Sequence, residues 1–120
     1  TFCAGSLASN FYNDVYKIFN KFKKRINFIH LRNVKKEKDR KSFYESNHLK
    51  GDIDFVRLIK MILKEEKRRS KIKKIEIPMR PDHGHSLLDD QSKKNFNPGY
   101  TAIGRLMGLS ELRGIIKSVI

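Results

Sequence analysis

Apolar residues recur along this chain in two rhythms. Val15, Ile18, Phe19 and Phe22 fall on one helix face, with Ser9-Asn10 and Asn13-Asp14 available as N-caps ahead of them. A second helical stretch starts at Gly51-Asp52 and carries Ile53, Val56, Ile59, Met61, Ile62 and Leu63, with Lys64 to Arg69 closing it. A third takes Ala102, Ile103, Leu106, Met107, Leu109, Leu112, Ile115, Ile116 and Val119. Between them lie short apolar runs bounded by turn residues. Thr1 to Ser6 fits the tail of a strand, Ile26 to Leu31 a second strand ending at Arg32-Asn33, and Ile75 to Met79 a third. The stretch Lys35 to Asn47 reads as a long charged connection outside the core.

The predicted order is strand, helix, strand, helix, strand, helix, the signature of βαβ units and a parallel sheet. Three parallel strands do not close a barrel and leave sheet edges uncovered. No repeat or linker divides residues 1–120, so they read as a single partial domain of a larger α/β protein. The start, Thr1-Phe2-Cys3, has neither Met nor a secretory signal pattern, and the expectation is the interior of a longer chain. No apolar run approaches the roughly 20 residues of a membrane helix. One cysteine rules out an internal disulfide framework and suits a reducing, cytoplasmic setting.

A formal charge of +14 on 120 residues invites a nucleic-acid reading. The positions of the charges argue otherwise. They cluster at Lys21 to Arg25, Lys35 to Lys41 and Lys64 to Lys74, at helix ends or in loops, where cations complement the helix dipole. No aromatic RNA-binding motif, zinc finger or Walker loop accompanies them. A small basic nucleic-acid-binding module therefore stands as the competing reading, and steep loss of binding with salt would identify it.

Candidate chemistry gathers where the strands end. Cys3 ends the first, His30 the second, and Asp82-His83 follow the third. In a parallel βα array those ends lie on one side, so a thiolate, an imidazole and a carboxylate can converge, a set suited to Fe(II), Mn(II), Zn(II) or Co(II). Each has a plainer reading: Cys3 as a small buried hydrophobe, His30 as a core or surface imidazole, Asp82 as a turn cap. His83 and His85 flank Gly84 in a spacing that plain turns share, and His48 in a charged loop reads as a solvent residue. Asn97-Pro98-Gly99 makes a tight turn that delivers Tyr100 to the last helix, either packed on the loop or as a proton donor. Gly104 and Gly108 suit close helix packing, and no dinucleotide-binding glycine spacing is present.

Five stretches resemble the D-mannonate dehydratase family in the family's own order. They are Phe2-Cys3-Ala4-Gly5-Ser6-Leu7, Phe28-Ile29-His30-Leu31-Arg32-Asn33-Val34, His48-Leu49-Lys50-Gly51-Asp52-Ile53-Asp54, Ile77-Pro78-Met79-Arg80-Pro81-Asp82-His83-Gly84-His85, and Asn97-Pro98-Gly99-Tyr100-Thr101-Ala102-Ile103-Gly104-Arg105-Leu106. The resemblance implies a xylose-isomerase-like (β/α)8 TIM barrel, of which this chain is the C-terminal part, about three βα units. It implies Cys3, His30 and Asp82 as ligands of Fe(II) or Mn(II), with a further His ligand on an earlier strand outside this chain. His83 and Tyr100 match the positions used for acid–base work, and Arg32 and His48 match positions near the substrate.

The reaction so implied removes water from D-mannonate to give 2-keto-3-deoxy-D-gluconate, in glucuronate catabolism. The C2 proton is barely acidic, so the metal takes up charge as the enolate forms while one group removes that proton and another protonates the departing C3 hydroxyl. A cationic Arg32 suits the sugar-acid carboxylate. The expected partner is this small-molecule substrate, with no nucleic acid or membrane, in a homo-oligomeric full enzyme. The chain alone is expected to be incomplete and inactive. A sugar-phosphate isomerase on a related barrel is a third reading, but its glycine-rich phosphate loop is missing.

Overall fold

The computed structural model describes residues 1–72, 76–95 and 97–120. Its elements are β1 (Phe2–Cys3), α1 (Ala4–Ala8), α2 (Val15–Phe22), β2 (Ile29–Leu31), β3 (Val34–Lys36), β4 (Phe43–Glu45), α3 (Phe55–Ser70), β5 (Met79–Pro81) and α4 (Ala102–Val119). Short 3-10 turns occupy Lys23–Arg25 and Leu88–Asp90. No helix among the described residues is long and apolar enough to cross a membrane.

The main sheet is parallel in the order β1-β2-β5, with Cys3 opposite His30 and His30 opposite Arg80. Successive strand residues face opposite ways. Phe2, Ile29 and Leu31 therefore enter the core with Phe19, Phe55, Leu58, Ile59 and Ile62 of the helices. Cys3, His30 and Arg80 share the other face, and that shared register is what lines up the chemistry.

All three expected strands form, but shorter. The first is cut to Phe2–Cys3 because Ala4 starts a helix that includes Gly5 and Ser6. The third lies at Met79–Pro81, closer to the chemistry than expected; Ile75 and the preceding Lys73 and Lys74 lie outside the described residues. Lys35 to Asn47 is not a mere connection. It contributes most of the antiparallel β3–β4 hairpin and brings Glu45 to the site.

The three longer helices begin where short polar side chains satisfy free amides. Asp14 accepts from Tyr16 N and Lys17 N, both at 3.0 Å. Asp54, rather than Asp52, caps α3, accepting from Arg57 N at 3.0 Å. Asp52 instead accepts from Lys36 N and pairs with Lys35 Nζ at 2.7 Å. Of the expected apolar face of α3, Val56 is exposed, while Leu58, outside that expectation, is buried.

The basic end of α3 is not all solvated. Arg69 is buried; it donates to Glu65 on its own helix and to the carbonyls of Lys23 and Ile26 beyond α2. Hydrogen bonds from Arg68 and Arg69 outweigh burial and pull the Glu65 carboxyl down to about 2.

Helix α4 packs close at two glycines. A Cβ on Gly104 would sit 2.3 Å from His85 O, and one on Gly108 would sit 2.4 Å from His48 Cε1. Side chains at either position would drive the helix off the site.

Candidate active site

The site forms at the ends of β1, β2 and β5. Cys3 Sγ lies 3.4 Å from His30 Nδ1, and His30 Nε2 lies 2.8 Å from Asp82 Oδ1. The imidazole thus stands between the thiol and the carboxylate. Burial holds His30 below its ordinary range, against the opposing pull of Asp82, which favours the neutral ring that a metal ligand requires.

Asp82 is only 8% exposed, and its Oδ1 is buried with no aligned hydrogen-bond donor among the described residues, despite the 2.8 Å approach of His30. Two lone-pair atoms this close, without donor geometry, are what a shared cation relieves. The two separations engage opposite nitrogens of one ring, so Cys3, His30 and Asp82 adjoin one another without converging on a single point. Sulfur, nitrogen and oxygen are donor types that suit a borderline divalent ion, to which the imidazole can offer only one of its two nitrogens. Among the described residues it is Glu45, Asp82 and His83 that gather, each with a ligand atom within 4.8 Å of the others. Glu45, however, is already engaged. Arg32 Nε donates to its Oε1 at 2.8 Å and Oε2 at 3.1 Å, and Arg32 Nη2 makes a further contact to Oε1. Burial would raise the Glu45 carboxyl, but those bonds hold it below the usual range.

His83 and Tyr100 are brought together by backbone. Gly84 N donates to Gly99 O at 2.8 Å, Gly84 pairs with Tyr100 in a parallel bridge, and Gly99 takes the left-handed turn conformation at φ +85°. His83 Nε2 then lies 2.9 Å from Tyr100 Oη, and the rings meet edge to face at 4.6 Å. Asp82 Oδ2 stands 3.4 Å from His83 Nδ1. Imidazole and phenol share a hydrogen bond along which a proton can move, with the carboxylate oxygen beside the ring. His30, Arg80, Asp82, His83, Tyr100 and Arg105 line a small pocket of about 50 Å³ there; His85 is exposed and outside that lining.

Two expected substrate contacts sit differently. Arg32 is spent mainly on Glu45, with Asp82 Oδ2 3.8 Å away, and its Nη1 reaches Ser6 Oγ at 3.1 Å. His48 is no solvent residue; it is 5% exposed. Its Nε2 accepts from Asp82 N at 3.1 Å and its Nδ1 faces Glu111 Oε2 at 3.7 Å, so both nitrogens are turned toward protein rather than the pocket. Burial lowers its pKa.

Sequence reasoning missed Glu45, Asn33 and Glu111. Asn33 is a buried clamp: its Nδ2 donates to His48 O and Ile53 O, and its Oδ1 accepts from Val34 N and Ile53 N. Gly51 lets it close, since a Cβ there would overlap the Asn33 amide. An Asn directly after a strand, facing a distant Gly, is too weak a pattern to have shown this.

The whole chain, residues 1–120, matches the family model for D-mannonate dehydratase (UxuA). It is 50% identical to mannonate dehydratase of Rhizobium meliloti (strain 1021), over 99% of this chain and 30% of that protein. It is 48% identical to mannonate dehydratase 2 of Agrobacterium fabrum (strain C58), again over 99% of this chain and 30% of the relative. Among solved structures, mannonate dehydratase from Streptococcus suis serotype 2 superposes with a TM-score of 0.80 at 31% identity, over 99% of this chain and 32% of that one. The chain thus spans about 30% of the length of these curated relatives. A match that runs end to end, in a fold that brings the strand-end residues together, shows that this chain belongs to the D-mannonate dehydratase family.

Proposed function

We propose that this chain is the part of a mannonate dehydratase carrying three of the metal ligands and the acid–base pair, converting D-mannonate to 2-keto-3-deoxy-D-gluconate in glucuronate catabolism. Its parallel strands are, in this reading, consecutive strands of a xylose-isomerase-like (β/α)8 barrel whose remaining strands belong to the rest of the enzyme. The observation that carries the reading is Asp82. Its buried Oδ1 lies undonated beside His30, while Oδ2 stands beside a hydrogen-bonded His83–Tyr100 pair.

Cys3, His30 and Asp82 would hold Fe(II) or Mn(II), which when bound supplies Lewis acidity at the substrate oxygens. The chain's own residues handle the protons. Asp82 orients the His83 ring through Nδ1, which turns Nε2 toward Tyr100 Oη. One member of that pair takes the C2 proton; the other protonates the C3 hydroxyl, which leaves as water. The resulting enol takes up a proton at C3 as it gives up the proton on its C2 oxygen, and so becomes the 2-keto product. Arg32, its charge fixed by Glu45, would bind the sugar-acid carboxylate by redirecting Nη1, which here donates to Ser6 Oγ. His48 contributes from behind Asp82. A ligand thiolate at Cys3 requires a reducing compartment, in keeping with a cytoplasmic enzyme.

The test is a completed enzyme in which this chain replaces the matching segment of the Rhizobium meliloti relative. With Fe(II) or Mn(II) it should dehydrate D-mannonate within about tenfold of the parent, and a chelator should abolish that turnover. A folded, metal-loaded chimera with no turnover would sink the reading.

A further inference from the structure

We infer that Glu111 is a positioning residue for the site, setting which nitrogen of His48 holds the backbone of Asp82. The inference rests on the mannonate dehydratase reading for what Asp82 does, and on geometry alone for how Asp82 is held. His48 Nε2 accepts from Asp82 N at 3.1 Å. A ring nitrogen that accepts carries no proton, so the neutral imidazole must carry its proton on Nδ1. Nδ1 faces Glu111 Oε2 at 3.7 Å, an ion-pair approach rather than a hydrogen bond, and that oxygen is buried with no hydrogen-bond partner among the described residues. The opposite tautomer would set Nε2–H against the Asp82 N–H and leave a bare Nδ1 facing a carboxylate. Two repulsions would replace two attractions.

The surroundings hold the imidazole to this task. Gly108, one turn before Glu111 on α4, leaves the space the ring occupies. Asn33 Nδ2 donates to His48 O at 2.7 Å and fixes the ring's own backbone. A histidine that only filled space would need neither a carboxylate on one nitrogen nor a backbone amide on the other. Glu111 therefore acts on Asp82 through His48, from α4 to the end of β5, without touching substrate. Outer partners of metal ligands carry about 10–100-fold in affinity or activity.

The experiment uses the completed enzyme with ¹⁵N-labelled histidine. Its readouts are the His48 ring shifts, hydrogen exchange at the Asp82 amide, Mn(II) retained after dialysis, and kcat and KM separately. Wild type should show the proton on Nδ1 and a protected Asp82 amide. Glu111→Leu should lose the single tautomer and retain about 10–100-fold less Mn(II), with kcat falling and KM little changed. His48→Gln, whose amide oxygen accepts near the place of Nε2 and has no tautomer to set, should keep most of the metal. Adding Glu111→Leu to it should then cost nothing further. A proton on Nε2 in wild type would overturn the inference. So would a Glu111→Leu loss equally large with Gln at position 48, since that is mere packing. If mannonate turnover is absent while the tautomer and metal results hold, the functional reading fails and this one stands.

Discussion

Asp82 is held from three sides at once. His30 and His83 address its two carboxylate oxygens, and His48 holds its backbone amide. This division separates what each histidine does when changed. His83→Asn in the completed enzyme should abolish mannonate turnover while the bound divalent metal stays near the wild-type ratio, because Cys3, His30 and Asp82 are untouched. Elemental analysis beside a turnover assay checks it, and normal kcat in that variant would remove His83 from the chemistry. The strand-end residues were legible in the sequence because a parallel array gives position a meaning: the last residue of one strand neighbours the last of the next. His48 misled because its charged neighbours describe the loop's surface, not the ring packed beneath Gly108. Glu111 was silent, since one acid in a helix whose apolar positions run round several faces carries no mark of burial.

Helix α3 is joined to the end of α2 by a charge cluster, not by apolar packing alone. The cluster predicts an acid response of definite sign. Glu65 is pulled from its ordinary 4.5 to about 2, so its contribution is present above the ordinary value and is lost as pH falls from there toward about 2. In urea unfolding of the completed enzyme, Glu65→Gln should cost most near pH 6, and the gap to wild type should shrink below about pH 4. A gap independent of pH would mean that Glu65 acts only by shape. The helices were legible because their caps and apolar spacing agree, as at Asp14 with Val15 and Phe19. The hairpin was not: strands of three residues each, Val34–Lys36 and Phe43–Glu45, are too short to show an alternating pattern against their lysines.

The described chain measures 50 × 33 × 23 Å with a radius of gyration of 15.4 Å, against about 14 Å for a closed domain of 120 residues. The excess fits a sheet whose outer strands, β1 and β5, each have a single neighbour in the order β1-β2-β5. Ile103, Leu106 and Leu109 of α4 are exposed in the same way. Expressed alone, the 120-residue chain should form no measurable 2-keto-3-deoxy-D-gluconate from D-mannonate, with or without Mn(II). Turnover by that chain would show that the rest of the relatives' length is dispensable. The strand–helix alternation told of the parallel sheet in advance. Closure into a barrel is a property of strand number, which these residues alone do not contain.

The Gly84–Gly99 contact brings the two feet of a long excursion together beside the site. The feet are fixed by Gly84 N to Gly99 O and by Thr101 Oγ1 to His85 O, and the turn into Tyr100 is closed by its own amide donating to Asn97 O at 3.0 Å. Within that excursion residues 91–95 are exposed. Doubling such a loop adds only about 0.6 kcal/mol of closure entropy. Length added among those exposed residues therefore costs little closure entropy, which makes them the natural port for an inserted label reporting on the site from outside.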